Sequence, residues 1–138
     1  MNSFISTKSK ITGSNYKEVF KKATIIFDSI VRKSKRKPYI RSAYFLKQKI
    51  FINLFWVHLF DKSFLIRTLR LKYLTAGFEL VEKSRIPPSS RDNPNNENEI
   101  LHRFEGITRD KFQFFSDLES LLLRRLLHPV KFQQGFIY

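Results

Sequence analysis

The stretch ILHRFEGITRDKFQFF, residues 100–115, gathers a histidine, two arginines, a glutamate and a threonine in an alternating apolar–polar pattern. Metal-free cleavage of RNA needs little more. A base takes the ribose 2′-OH proton, an acid protonates the leaving oxygen, and cations hold the charged phosphorane. Strand alternation would put Arg103 and Glu105 on one face and His102 with Phe104 on the other. Thr108 and Arg109 fall at the turn TRDK. His102, flanked by Arg103, is a candidate catalyst, with a structural histidine as the even alternative. His58 closes an apolar run and reads first as a boundary histidine with one hydrogen bond, and only second as a catalyst.

A second constellation is cationic and aromatic. RKSKRKPYIRSAYF, residues 32–45, sets six cations beside three aromatics. Lys and Arg neutralise phosphates, and aromatic rings stack unpaired bases. Arg32, Lys33, Lys35, Arg36, Lys37, Tyr39 and Arg41 are therefore candidate nucleic-acid contacts, joined by Arg109. The plainer alternative is a solubilising helix end followed by a core strand. Arg67 and Arg70, three apart on one helix, either clamp a phosphate or form a solvated face with ion pairs.

Other chemistries lack their residues. His58, His102 and His128 lie far apart with no HxxH or HExxH spacing, so no metal site is implied. There is no cysteine, no P-loop, no GxGxxG and no nucleophile elbow, and no cofactor is expected.

These side chains must be positioned by one domain's worth of chain, 138 residues with 15 Phe. Net charge is +14, and residues 1–60 carry 13 Lys/Arg against two acids. A polyanion is the natural partner, nucleic acid first (RNA ahead of DNA) and anionic lipid second. The longest apolar stretch, residues 50–60, is too short to span a bilayer as a helix. No membrane insertion and a cytoplasmic location are expected; the oligomeric state is open.

The expected fold class is α+β: N-terminal helices packed on a small curved antiparallel sheet, with a C-terminal helical segment. Residues 1–13 read as a flexible basic lead-in, and Ser14 caps an amphipathic helix over about 15–33. Strands follow near 39–46 and 49–57, the second apolar on both faces. A helix capped by Asp61 or Ser63 runs to about Lys83, with Leu65, Leu69, Ala76 and Leu80 inward. Residues 86–99, with three prolines and no glycine, read as a surface loop inside a 14–115 domain. From Ser116 the SDLE capping box and six leucines in 23 residues predict a helix ending at Pro129.

The segments KRKPYIRSAYF, KIFINLFWVHLF, RTLRLKYL, PSSRDNPNNENEILHRFEGITRD and FQFF keep an order that resembles a group of small bacterial proteins. These belong to the phage-type branch of the barnase–EndoU–colicin–RelE nuclease superfamily. The resemblance covers roughly residues 15–115. It implies nuclease activity on RNA, with matching positions at Trp56, His58, Arg67, Arg70, His102, Arg103 and Thr108. After FQFF the family pattern continues as strands, whereas residues 116–138 differ and turn leucine-rich.

Two functions follow as expectations. One is a metal-independent ribonuclease, toxin-like or derived from a mobile element, with an antitoxin or immunity-type partner. The other is a non-catalytic nucleic-acid-binding module or an inactive nuclease relative. A peripheral protein on anionic membrane is a weaker third.

Overall fold

The computed structural model describes residues 3–93, 96–123 and 126–137, with side chains over 3–92 and 99–118. In chain order the elements are β1 (Phe4–Ile5), α1 (Tyr16–Lys33), β2 (Tyr39–Ser42), β3 (Gln48–Phe51), α2 (Phe55–Phe60), α3 (Phe64–Lys72), α4 (Leu74–Lys83), β4 (Ser89–Asn93), β5 (Asn96–Ile107), β6 (Gln113–Leu123) and β7 (Leu126–Ile137). The fold is α+β, helices leading and long strands following.

The strands form one seven-stranded sheet in the order β1-β5-β6-β7-β3-β2, with β4 pairing β5. It is mixed rather than purely antiparallel, because β1 runs parallel to β5 and β3 parallel to β7. One edge of β5 is shared: β4 pairs its first half, from Asn96 to Arg103, and β1 pairs Gly106 and Ile107.

All four helices contribute to a single core on one face of this sheet. Val19, Phe27, Phe55, Leu59, Leu71 and Leu80 meet Ile40, Ile50, Phe104, Phe114 and Leu118 there. Full burial of each such side chain stabilises by about 1.5–3 kcal/mol. Gly106 lets β5 approach closely, since a Cβ there would stand 3.0 Å from the Phe114 ring and 3.3 Å from Leu80, which would have to give by a few tenths of an ångström. The opposite, outer face of the sheet carries Tyr39, Arg41, Lys49, Arg103 and Glu105 and is at least partly open.

Local chemistry explains α1. Asn15, one residue after the expected Ser14 cap, accepts a hydrogen bond from the Glu18 amide at 3.0 Å. Glu18 in the first turn and Arg32 and Lys33 in the last complement the helix dipole.

Five expectations need correction. The basic lead-in is docked rather than loose: the Ser6 amide donates to the Ile107 carbonyl at 2.8 Å and the Ile11 amide to the Lys72 carbonyl at 2.8 Å. The apolar run after Gln48 divides into β3 and α2, so His58 lies on a helix and not at a strand end. A continuous apolar run satisfies either element, and periodicity alone cannot separate them. The helix expected up to Lys83 breaks at Tyr73, which is buried and stacks on Phe114 at 5.7 Å. Within it Leu65 points out, 70 % exposed.

The loop expected over 86–99 contains β4, whose backbone is paired with β5 from Ser89↔Arg103 to Asp92↔Ile100. Finally, the expected C-terminal helix is absent over 116–123 and 126–137. Those residues form β6 and β7, with Phe114, Ser116 and Leu118 wholly buried on the core side of β6. Pairing of β6 with β5 and of β7 with β6 satisfies this backbone, and tertiary context overrides the local helix preference of leucine and the capping-box pattern.

Candidate nucleic-acid interface and cleft

On the outer face, the β2–β3 register sets Tyr39 opposite Phe51 and Arg41 opposite Lys49. These four side chains form a cationic–aromatic surface. The Tyr39 ring lies 4.7 Å from the Lys49 ammonium and 5.4 Å from the Arg41 guanidinium, and meets Phe51 edge-on at 6.4 Å. Pro38 directs the chain out of α1 into β2, bringing Lys33, Lys35, Arg36 and Lys37 beside the same surface. Together with Tyr39, Lys49 and Phe51 they line an open groove of about 700 Å³. Of the cations expected in this patch, Arg32 stands exposed in the last turn of α1. Lys49 and Phe51 were not legible as partners from sequence, because only the strand register joins them to Tyr39.

Further along the outer face is a smaller cleft of about 290 Å³, lined by Ser89, Arg91, Leu101, Arg103, Glu105 and Asp117 among others. Arg103 donates to Asp117 through Nε at 2.9 Å and through Nη2 at 3.1 Å, and its guanidinium lies 3.8 Å from the Phe115 ring centre. This two-pronged pair fixes the planar guanidinium, as a carboxylate fork does. The Asp117 carboxylate also acts on Arg70, whose pKa burial pushes down to about 10 against the pull of that charge.

His102 faces the other way, as strand alternation requires. It is 3 % exposed, packs edge-on against Phe45 at 5.1 Å, and its Nδ1 lies 2.7 Å from the Ser90 hydroxyl. Burial lowers its pKa below the ordinary histidine value, so the ring is neutral at pH 7.

The candidate catalytic residues are therefore not assembled in one place. His58 sits half-buried on α2, which lies against β7, and its Nε2 is buried without a hydrogen-bond partner among the described residues. Thr108 is fully buried and holds the β5–β6 turn: its hydroxyl accepts from the Phe112 amide at 2.9 Å. Arg109 is exposed at that turn, where its amide donates to the Lys8 carbonyl at 2.8 Å. Arg67 closes the end of α2, donating to the carbonyls of Lys62 at 2.8 Å and Phe60 at 2.6 Å.

No protein-family model, curated protein or solved structure matches this chain. Among the described residues no group of three or more histidine or acidic side chains could hold a metal ion, and no helix is long and apolar enough to cross a membrane.

Proposed function

We propose that this protein binds RNA along the outer face of its sheet, as a nucleic-acid-binding module. One observation carries this reading: Tyr39, ringed by Lys49 and Arg41, sits in the groove with Lys33, Lys35, Arg36 and Lys37. Cations in that number neutralise successive phosphates, and the exposed part of the Tyr39 ring offers a stacking platform for an unpaired base. The net charge of +14 gives long-range attraction for the same polyanion.

A ribonuclease is the second reading, favoured by the cleft. Glu105 there shares an open space with Arg91 and Arg103, a carboxylate beside two guanidiniums on the face that also bears the groove. A carboxylate in that setting can take the 2′-OH proton as that oxygen bonds to phosphorus and guanidinium donors hold the phosphorane. The bond to the 5′ oxygen then breaks, with water supplying its proton and a 2′,3′-cyclic phosphate left behind. His102 and Thr108 take no part in it.

The test is fluorescence anisotropy with single-stranded RNA at several salt concentrations, followed by incubation with total RNA in EDTA. Salt-dependent binding that weakens when Lys35, Arg36 and Lys37 are neutralised supports the module. Cleavage lost in Glu105→Gln moves the assignment to the nuclease. Binding insensitive to salt and to those substitutions sinks both.

A further inference from the structure

The corner between α2 and α3 leaves six large apolar side chains open: Leu54 (40 % exposed), Val57 (64 %), Phe60 (45 %), Phe64 (64 %), Leu65 (70 %) and Ile66 (38 %). Phe60 and Phe64 are joined across the corner. Val57 and Phe60 are neighbours at a three-residue step on α2, and Leu54 stands at its N-cap. Arg67 then bridges to α3, its guanidinium 5.2 Å from the Phe60 ring and 4.8 Å from the Phe64 ring. The rings run on into the fold, Phe64 against Tyr16 at 5.2 Å and Phe60 against Trp56 at 5.8 Å. Exposed large apolar side chains gathered at one corner and rimmed by charge mark a docking site.

Charge identifies the occupant. Asp61 is the only acid between residues 54 and 78, while Lys62 and Arg67 flank the patch. Lys17 and Lys21 are exposed on α1, with Glu18 between them drawn to the helix cap at Asn15, beside the Tyr16 and Phe20 rings that border it. A second copy of this chain would bring a further +14 against this rim. We propose that the α2–α3 corner docks an acidic amphipathic helix of a partner protein. Its apolar side lies on Val57, Phe60, Phe64 and Leu65, and its acids face Lys17, Lys21 and Lys62. The site is separate from the RNA groove. Tyr16 begins α1 and Lys33 ends it, roughly 27 Å apart along an 18-residue helix, so both surfaces can be filled together.

The test uses full-length protein and a fluorescein-labelled synthetic helix with leucine at its heptad a and d positions and glutamate elsewhere. A scrambled peptide of equal composition, phosphatidylglycerol vesicles and sedimentation of the protein alone are the comparisons. The amphipathic peptide should bind at least about tenfold more tightly than the scramble. The doubly substituted Val57→Ser, Leu65→Ser protein, unchanged in charge, should lose at least about tenfold of that affinity and keep its RNA binding. Equal binding of both peptides would reduce the effect to net charge and overturn the proposal. So would a patch-dependent attachment to vesicles, or patch-dependent dimerisation, without peptide binding.

Discussion

His102 and Arg103 are neighbours on β5 whose side chains leave the sheet on opposite faces. His102 turns inward to Ser90 and Phe45, and Arg103 outward onto Phe115 and Asp117. Their substitution should therefore report on different things.

Arg103→Ala should destabilise the fold by about 1.5–3 kcal/mol, because the Asp117 carboxylate, 7 % exposed, loses its two charged hydrogen bonds. Urea unfolding of Arg103→Ala, Asp117→Ala and the double variant measures the coupling. Strictly additive effects would show that the pair contributes nothing specific.

Stability should fall as the pH drops from 7 through the histidine range, and His102 should account for part of the slope. Burial lowers its folded pKa, so the unfolded chain takes the proton first. The contribution is complete above the ordinary value of 6.5 and is lost as pH falls from there through the folded value. Urea midpoints between pH 7.5 and 5 should vary less in His102→Gln than in the parent protein.

Glu79 ties the amino-terminal segment to α4. It accepts from the Ser6 hydroxyl at 2.7 Å, from the Thr7 amide at 2.8 Å and from the Thr7 hydroxyl. Burial raises its pKa, but those hydrogen bonds, with Lys83, outweigh burial and hold it below the usual 4.5. The stabilisation is thus full above that value and disappears as pH falls through the lower folded one. Glu79→Ala should cost about 1–3 kcal/mol and speed tryptic cleavage after Lys8 and Lys10. Unchanged cleavage rates would mean the segment is held elsewhere.

In the groove, neutralising Lys35, Arg36 and Lys37 should make the slope of log affinity against log salt shallower. On single strands the change is about 0.7 for each phosphate the protein no longer neutralises. Tyr39→Ala should cost about 1–3 kcal/mol of RNA affinity, the worth of one stacked base. A loss confined to the salt slope would leave Tyr39 without a stacking role.

The elements with unambiguous local patterns were legible in the sequence: α1, β2, the β5–β6 hairpin, and the alternation that parts His102 from Arg103. The basic segment before Pro38 and its alliance with Tyr39 were legible too. What escaped was set by pairing across the chain. Leucine repetition and SDLE favour a helix locally, and only β5, lying alongside, makes 116–123 a strand. Asp117 was part of that supposed cap, so its fork with Arg103 had no local sign. Ser90 carried none either, being placed against His102 by the β4–β5 register within a Pro- and Asn-rich segment.

The shared edge of β5 has a kinetic consequence. Phe4 and Ile5 leave the ribosome about a hundred residues before Gly106 and Ile107, the positions they pair with. At about 5–20 residues per second that is a wait of roughly 5–20 seconds. Throughout it, the Ser6 amide, which donates to the Ile107 carbonyl in the finished fold, lacks that partner. Once β5 emerges, its unpaired edge is briefly a template for any extended segment nearby. The earliest-made of these strands thus waits for one of the latest, and it arrives as the seal on that edge.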